Sequence, residues 1–489
     1  MLYLDLTSGL IFLAVFFFLF DFLRKQSWKT LPPGPPCLPV LGSLPFLAAK
    51  DIREPLRKLT TKYGDVITIY LGARRVVVLN TYDAMKEALH IKGEAFLGRP
   101  NVFFLKEVTK SLGDSTGARW KEQRRFTLKA LRNFGVGTSR MEDKIQEEMS
   151  YFLCRIAQSE GQLLDPRMSI MYAVSNMVGL LAFGRRLEYD SEKFKAHMDN
   201  MMEAFEIVGS TAVLTMFPYL SSLPGDPFGF QKIKASSENL HKEIRLIIEE
   251  HRAEMNPADE PKDFIDAYLR ELDKNQDMDT YFSDNQLIQL VSDLYAAGTE
   301  TTTTTLRWAL IFMLHHPAIL AKVQAEIDNV LGGRLPTLMD RQTMPYVEAT
   351  LSEIQRTADV VPFSVPHCTT EDVSFRGFFI PQGTMILPNL YTVHHNEAHF
   401  QDAFKFNPSR FLDDEDCYRP IKQLIPFGIG RRLCLGERLA RMELFLIFTG
   451  LLQRFSPSLP SGQQLPSLKG ALHITNEPQP FKIIFSARN

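Results

Sequence analysis

The chain has 489 residues, of which 45% are hydrophobic and 23% are charged, so it is long enough for one large domain or for two or three ordinary ones. A formal net charge of −2 excludes the overall basic excess typical of nucleic-acid-binding proteins, and we expect no nucleic-acid partner. The cysteines are odd in number, scattered, and contain no Cys-x-x-Cys pair, which predicts a reducing compartment without disulfides or a zinc site; they are Cys37, Cys154, Cys368, Cys417 and Cys434.

The amino-terminal stretch from Leu2 to Leu23 is apolar except for Asp5 and Asp21, close to the ~20 residues that a membrane-spanning helix needs. It lacks the basic start and small-residue cleavage site of a signal peptide. Basic residues follow it, so the positive-inside rule places the rest of the chain in the cytosol; they are Arg24, Lys25 and Lys29. We predict an uncleaved single-pass anchor at residues 1–22, the alternative being a buried core helix.

Residues 23–48 are basic and rich in proline, and Leu31–Pro36 predicts a stiff extended spacer. The globular body, residues 49–489, opens with a predicted β-hairpin over 66–79. Helical periodicity then predominates at roughly 118–134, 141–157, 168–184, 192–209, 231–254, 284–316, 317–331 and 344–358, and a small strand cluster follows at 373–388. The pattern predicts a mainly α protein with small β-sheets.

The helix predicted from Asp284 to His316 is the longest, and its centre places Gly298 before Glu300 and Thr301. Glycine, a carboxylate and hydroxyls weaken a core helix, because they loosen its hydrogen-bond ladder and offer competing bonds. Either this face is simply solvated, or the residues serve a site.

Near the carboxyl terminus, Cys434 stands between a glycine-bearing loop and an amphipathic helix that begins at Glu437. A thiol at a helix start lies against free N–H groups, which favour the metal-binding thiolate form. Gly428 and Gly430 allow tight turns, and Gly436 leaves room for a broad, flat group such as a heme. The alternative is that Cys434 is one more buried thiol.

The spacing Phe-x-x-Gly-x-Arg-x-Cys-x-Gly from Phe427 to Gly436 resembles the heme-binding loop of the cytochrome P-450 superfamily. The resemblance covers essentially the whole chain. It is strongest to vertebrate microsomal family 2, including its fatty-acid-epoxidising members, over Trp120–Phe126 and Ala297–Thr302. It implies the cytochrome P-450 fold, preceded by one transmembrane helix in the endoplasmic reticulum membrane.

The same resemblance implies a set of site residues. Heme b would take Cys434 as axial thiolate ligand, in a loop that includes Phe427, Gly428 and Gly436. Thr301 would hold oxygen and a water, Glu300 would supply protons, and Gly298 would let the helix open slightly. The residues implied to meet the heme propionates are Arg432, Trp120 and Arg124, followed by Arg99 and His367.

Glu353 and Arg356 resemble the family's Glu-x-x-Arg helix motif, and Arg410 looks like the arginine that joins them in an ion-pair network. Taken alone, Glu353 and Arg356 would be a surface pair worth a few tenths of a kcal/mol. The sequence departs from the family at His394–His399. There His395 and His399 are spaced as metal ligands on a helix, but the order differs from the His-Glu-x-x-His of zinc proteases. Ser364 stands where the family often has glycine.

The predicted helix Arg119–Arg132 carries six basic residues against one acid. A basic face above the electron entry point would steer an acidic flavoprotein, although a solvated charged face is the plain alternative. The resemblance implies NADPH–P-450 reductase as the partner that passes on NADPH electrons, and it also allows cytochrome b5. Because no Gly-x-Gly-x-x-Gly unit is present, we do not expect the chain to bind NADPH itself.

These features together predict a membrane-anchored monooxygenase that uses O2 to hydroxylate or epoxidise lipophilic substrates such as fatty acids, steroids or xenobiotics. A heme-thiolate isomerase or peroxide-rearranging enzyme and a non-catalytic heme-binding membrane protein are the alternatives. The apolar stretch Val213–Leu220 is predicted to lie between two helices and to touch membrane lipid. Candidate pocket residues are Phe103, Phe104, Leu105, Phe205, Leu294, Ala297, Val361, Phe363, Val365 and Leu472.

Overall fold

The computed structural model describes residues 6–26, 30–49, 51–109, 115–256, 258–275 and 280–488. Its α-helices are α1 Leu6–Gln26, α2 Leu44–Leu47, α3 Arg53–Tyr63, α4 Tyr82–Lys86, α5 Phe103–Thr109, α6 Gly117–Asn133, α7 Ser139–Ala157, α8 Pro166–Ala182, α9 Glu192–Met216, α10 Phe230–Glu254, α11 Phe264–Lys274, α12 Asp284–His315, α13 Pro317–Leu331, α14 Pro345–Ala358, α15 Leu390–His394 and α16 Glu437–Arg454. One π-helical turn covers Glu87–Ile91, and 3-10 turns cover Pro218–Ser222, Leu338–Thr343, Pro408–Phe411 and Gly430–Arg432.

The strands are short and form small sheets. They are β1 Val66–Leu71, β2 Arg74–Leu79, β3 Leu163–Leu164, β4 His367–Cys368, β5 Val373–Phe375, β6 Phe378–Ile380, β7 Met385–Pro388, β8 Phe455–Ser458, β9 Ala471–Leu472, β10 Asn476–Glu477 and β11 Ile483–Ala487. The largest sheet has the order β1-β2-β7-β4. The predicted hairpin is confirmed, since β1 and β2 pair antiparallel from Val66 opposite Leu79 to Leu71 opposite Arg74. The mainly α prediction is likewise confirmed.

The long helix α12 crosses the largest hydrophobic core and packs most extensively against α8. It starts at Ser283, whose side chain accepts a hydrogen bond from the N–H of Gln286, and it ends before Pro317. At Gly298 an added Cβ would lie 2.8 Å from Cγ2 of Val178, so glycine here lets α8 and α12 approach closely. Helix α12 is continuous through Gly298, and the slight opening expected there stays a prediction.

The amino-terminal prediction is met only in part. Residues 6–26 form helix α1, while residues 1–5 lie outside the part of the chain that the structure describes. Within the described ranges, no helix combines the length and the apolar character that crossing a bilayer requires. The single-pass anchor therefore stays a prediction.

The stretch Val213–Leu220 is not the loop that was predicted. Helix α9 continues to Met216, and a 3-10 turn starts at Pro218. Leu214 is fully buried in a small cluster with Val102 and Phe230, so the proposed lipid contact by Leu214 is wrong. The sequence pattern predicted the end of this helix too early, at residue 209. Helix α9 instead keeps an apolar face up to Met216, where it packs on α5 and α10.

The candidate pocket residues fall into several environments. Phe205 and Leu294 are partly buried against the main core, and Phe103 packs on Phe230 with ring centroids 5.5 Å apart. Phe363 packs with the cluster around β1 and β2, whereas Val365 is 57% exposed. Of the remaining candidates, Ala297 is exposed, and Val361 and Leu472 are half-buried. The side chains of Phe104 and Leu105 are outside the part of the chain that the structure describes.

Candidate heme site

Cys434 lies between the 3-10 turn Gly430–Arg432 and the first residue of α16. Its own N–H donates to the carbonyl of Phe427 at 3.1 Å, which fixes the loop, and the backbone N–H groups of Gly436 and Glu437 act to lower the pKa of its thiol. The side chain is exposed, but desolvation by the protein atoms around it raises the pKa of the thiol. The two N–H groups oppose that rise. A metal cation would complete the shift to thiolate by replacing the proton.

Gly430 and Gly436 of this loop need to be glycine for different geometric reasons. Gly430 has φ +84°, and an added Cβ would lie 2.0 Å from the carbonyl oxygen of Leu89, so only glycine lets the loop press on the π-helical turn. At Gly436 a Cβ would meet one atom within 4 Å, Sγ of Cys434 at 3.9 Å. The space beside the thiol is thus kept open by the missing side chain, as a flat group requires. Phe427 contributes its carbonyl, and its ring lies 4.9 Å from the guanidinium of Arg441.

Three of the predicted propionate residues meet beside this loop. The guanidinium of Arg432 lies 4.1 Å from the ring centroid of Trp120, and it donates to the carbonyls of Leu97 and Ser115 at 3.1 and 2.9 Å. Arg124 lies 5.7 Å from the same ring and donates to the carbonyl of Leu433 at 2.6 Å. Two cations therefore stack on one aromatic side chain next to Cys434.

The remaining two candidates lie on the neighbouring segment. Arg99 donates to the carbonyls of Val365 and Pro366, at 3.0 and 2.6 Å, just before His367. His367 is buried, and its Nδ1 lies 2.9 Å from the carbonyl oxygen of Phe96, so Nδ1 carries a proton. Burial lowers the pKa of His367 to about 3, and the nearby charges of Arg99 and Arg432 act in the same direction. His367 is therefore neutral, and with its one ring proton bonded to the Phe96 carbonyl it leaves Nε2 as an acceptor.

A cluster of arginines is the donor set that carboxylates of a flat cofactor require. Together with an available thiol and the open face of Gly436, the described residues fit a heme. Gly428, with φ +79°, only turns the backbone, and its added Cβ would lie 3.7 Å from Oγ of Ser364.

The side chains of Thr301 and Glu300 point in different directions from α12. The Thr301 hydroxyl donates to the carbonyl of Ala297 at 2.8 Å. The Glu300 carboxylate is buried and accepts from the hydroxyls of Thr304 and Thr475 at 2.9 and 3.1 Å. Burial, followed by the charge of Glu477, raises the pKa of Glu300 to about 7. Among the described hydrogen bonds none joins Glu300 to Thr301, so the two predicted residues are near in sequence but have separate partners.

The Glu-x-x-Arg network is confirmed, and it is buried rather than superficial. Arg356 makes two bonds to Glu353, at 2.7 and 2.8 Å, with both side chains fully buried. Arg356 also donates to the carbonyls of His394 and Ala403, and Arg410 reaches Glu353 at 3.1 Å. This network ties α14 to the segment that precedes the cysteine loop.

The alternative metal site at His395 and His399 gains no support. His395 bonds to the carbonyl of Tyr391 at 3.1 Å and lies 3.4 Å from Asp359. Within the described residues, the one group of three potential metal ligands is elsewhere and comprises His251, Asp263 and Asp266.

Two buried acids near α12, Glu443 and Glu477, were not predicted from the sequence. Glu443 on α16 accepts from Thr302 at 3.1 Å, and burial raises its pKa to about 8, so it is protonated at neutral pH. Its signal was present in the sequence, as an acid inside the apolar run Met442–Phe448. Glu477 gave no such signal, because its position beside α12 depends on the tertiary fold.

A thiol at a helix start, an open face beside it and an arginine cluster around it together define a heme-thiolate protein. The chain matches the family model "Cytochrome P450" over residues 32–485, and it belongs to this family. It is 40% identical over 467 residues to Cytochrome P450 2F5 of Gorilla gorilla gorilla, covering 94% of each chain. It is also 38% identical over 473 residues to Cytochrome P450 2B4 of Oryctolagus cuniculus, covering 95% of this chain and 96% of that relative.

Membership in this family, with family-2 relatives along most of the chain, establishes the reaction class. The protein is a heme-dependent monooxygenase of lipophilic substrates that uses O2 and electrons delivered by a reductase.

Proposed function

We propose that Cys434 is the axial ligand of heme b and that Arg432, Trp120 and Arg124 hold its propionates, with Arg99 completing the set. His367 would join them only by moving its ring proton from Nδ1, which bonds to the carbonyl of Phe96, to Nε2. The observation that carries this proposal is the place of the Cys434 thiol just before α16 and beside Gly436, where an added Cβ would meet only Sγ of Cys434, at 3.9 Å. When bound, a thiolate-ligated heme supplies the activation of O2 and the transfer of one oxygen atom. The remaining chemistry falls to the side chains of this chain.

The protein side of the reaction is proton supply and exclusion of water. The Thr301 hydroxyl faces the partly exposed side of α12, where it can pass a proton from its Oγ1 after releasing the carbonyl of Ala297. A carboxyl whose pKa is about 7 holds a proton about half of the time near neutral pH, and Glu300 has that property. Because Glu300 and Thr301 have separate hydrogen-bond partners, we infer that a water or a side-chain rotation joins them during turnover.

Replacing Thr301 with alanine should preserve heme content and substrate binding while lowering product formed per NADPH, by on the order of tenfold. The electrons that are not used would appear as hydrogen peroxide, because proton delivery loses its geometry. The measurement is the ratio of NADPH consumed to product and to peroxide.

The matched control is Thr305→Ala, which removes the same hydroxyl one helical turn later, where it bonds to the carbonyl of Thr301. It should leave the coupling ratio unchanged. Equal coupling in Thr301→Ala and wild type would show that another group delivers the protons.

The exposed face of α6 supports docking of the two proposed electron donors, the reductase and cytochrome b5. Four of its cations lie at helical spacing along one stripe, which is exposed, and Arg124 of the same helix bonds next to Cys434. The stripe consists of Lys121, Arg125, Lys129 and Arg132. Such a stripe suits the acidic surface of the reductase, and we propose that cytochrome b5 docks on it as well.

We further propose a single-pass anchor at residues 1–22, a hinge at 23–48 and a cytosolic catalytic domain at 49–489, held at the endoplasmic reticulum membrane. Support comes from α1, where large apolar side chains from Ile11 to Leu19 are about half or more exposed and need lipid or protein to cover them. A second apolar surface is formed by Tyr219 and Leu223, which are 69% and 46% exposed.

Deleting residues 1–22 should leave a protein that still partitions partly onto membranes and is released by detergent rather than by salt alone, because a surface contact is weaker than a spanning helix. Adding Tyr219→Ser and Leu223→Ser should then make the truncated protein soluble. Sedimentation with liposomes and heme content measure both effects.

The matched control carries Met339→Ser and Leu465→Ser, which remove similarly exposed apolar side chains elsewhere in the fold, and it should still bind membranes. Complete solubility after truncation alone would rule out the second contact.

A further inference from the structure

A buried group of charges behind α12 is not explained by heme binding. On α12, Glu300, Thr304 and Arg307 recur at helical spacing and form one stripe, and all three are buried. Opposite this stripe lie Thr475 and, two residues later, Glu477 in β10. Thr475 donates to Glu300 at 3.1 Å, which fixes the contact between the two elements.

The second carboxylate of this group, Glu477, is held by two arginines. Its Oε2 lies 3.1 Å from Nη2 of Arg167 on α8 and 3.8 Å from Nη1 of Arg307. Arg167 also bonds at 3.2 Å to Glu206 on α9, whose side chain is 55% exposed. Asp165 before α8 adds a further negative charge near Arg307, and His473 lies on the same hairpin as Glu477, against Gly209 of α9.

The hydrogen bonding of the group is incomplete. Oε1 of Glu477 and Nε of Arg307 are buried and have no hydrogen-bond partner among the described residues. A buried carboxylate oxygen without a donor is costly, and a proton on a neighbouring acid, directly or through a water, is the simplest donor. Two carboxylates in the same buried group cannot both ionise easily, so one of them retains a proton.

We propose that Glu300 and Glu477 act as one proton-sharing pair, in which the contacts of Arg167 and Arg307 with Glu477 favour the proton on Glu300. Glu477 is then a positioning residue: it does not touch the substrate, but its charge sets how tightly Glu300 holds the proton. When Glu300 gives its proton to the site, the pair is left with two negative charges, and uptake of one proton from water restores it. This role rests on the proposed function of Glu300 as a proton source.

The sign of each effect follows from the charges. The negative charge of Glu477 raises the pKa of Glu300, while the positive charge of Arg167 lowers it. Glu477→Gln should therefore make Glu300 lose its proton at a lower pH, by on the order of one pH unit. Arg167→Gln should move proton loss from the pair in the opposite direction, to higher pH.

The test is infrared titration of the holoenzyme, following the C=O stretching band of protonated carboxyl groups against pH. Glu300→Gln identifies the band by removing it, and Glu443→Gln identifies the band of the other buried acid. Glu477→Asp, which keeps the charge, should leave the midpoint near that of wild type. Glu206→Gln is the matched control at the exposed end and should also leave it unchanged.

Opposite shifts in Glu477→Gln and Arg167→Gln, with a matching shift in the pH dependence of coupling, would establish the pair. A Glu300 band whose midpoint is the same in wild type and Glu477→Gln would overturn it, although Glu300 would remain a proton source. Unchanged coupling in Glu300→Gln would instead remove the role of Glu300 in proton supply, and with it the catalytic meaning of the pair.

Discussion

Replacing Cys434 with serine is expected to abolish the red-shifted Soret band of the ferrous carbonyl complex and all NADPH-supported turnover. Serine has nearly the same shape, so the loop can keep the bond from the N–H of residue 434 to the carbonyl of Phe427. However, a hydroxyl does not ionise in this site and cannot donate electron density to iron as a thiolate does. Absorbance of the reduced, carbonyl-saturated protein checks the ligand directly.

The matched control is Cys417→Ser, which changes another exposed free cysteine and should keep both the band and the activity. If the Cys434 variant retained the red-shifted band, the assignment of the axial ligand would be wrong.

The second large effect is expected at Arg356, where lysine should destabilise the fold by about 3–5 kcal/mol and lower heme retention. Lysine keeps the charge but loses the planar fork that bonds Glu353 twice and reaches the carbonyls of His394 and Ala403 at the same time. Buried acceptors would be left without donors. Denaturant unfolding followed by heme absorbance and circular dichroism measures the loss.

An exposed pair on α3 provides the control, since Arg57 and Glu54 have the same i,i+3 spacing as Glu353 and Arg356 but side chains that are 39% and 46% exposed. Arg57→Lys should change stability by less than about 1 kcal/mol. Similar losses of stability in Arg356→Lys and Arg57→Lys would mean that burial does not increase the contribution of the network to stability.

The sequence predicted the long helices because their apolar residues recur at helical spacing, and it predicted the β1–β2 hairpin because two β-branched runs flank a glycine turn. It also identified the cysteine loop, since the whole spacing from Phe427 to Gly436 is local. Burial of the Glu353–Arg356 pair was different. Spacing alone describes an ordinary surface pair, and only the family resemblance indicated a network.

Directions of side chains were the least predictable property. Glu300 and Thr301 are adjacent, and neighbouring residues on a helix point about 100° apart, so a motif that names both says nothing about which partner each one meets. Glu300 meets Thr475, a residue 175 positions away, and no local pattern contains that information. The burial of Leu214 has the same cause, because its partners come from α5 and α10.

The contact between Gly430 and Leu89 bears on the order in which the protein is built. The cysteine loop contacts a turn near the start of the catalytic body. Arg432 of the loop bonds to Leu97, 335 residues away in sequence, and Arg124 of α6 bonds to Leu433 of the loop, 309 residues away. Contacts between such distant segments form late in folding, because chain entropy must be lost before they bring any gain. During synthesis, the complete cradle therefore cannot exist until the loop Phe427–Gly436 has left the ribosome, and the cofactor has to be captured after that loop emerges.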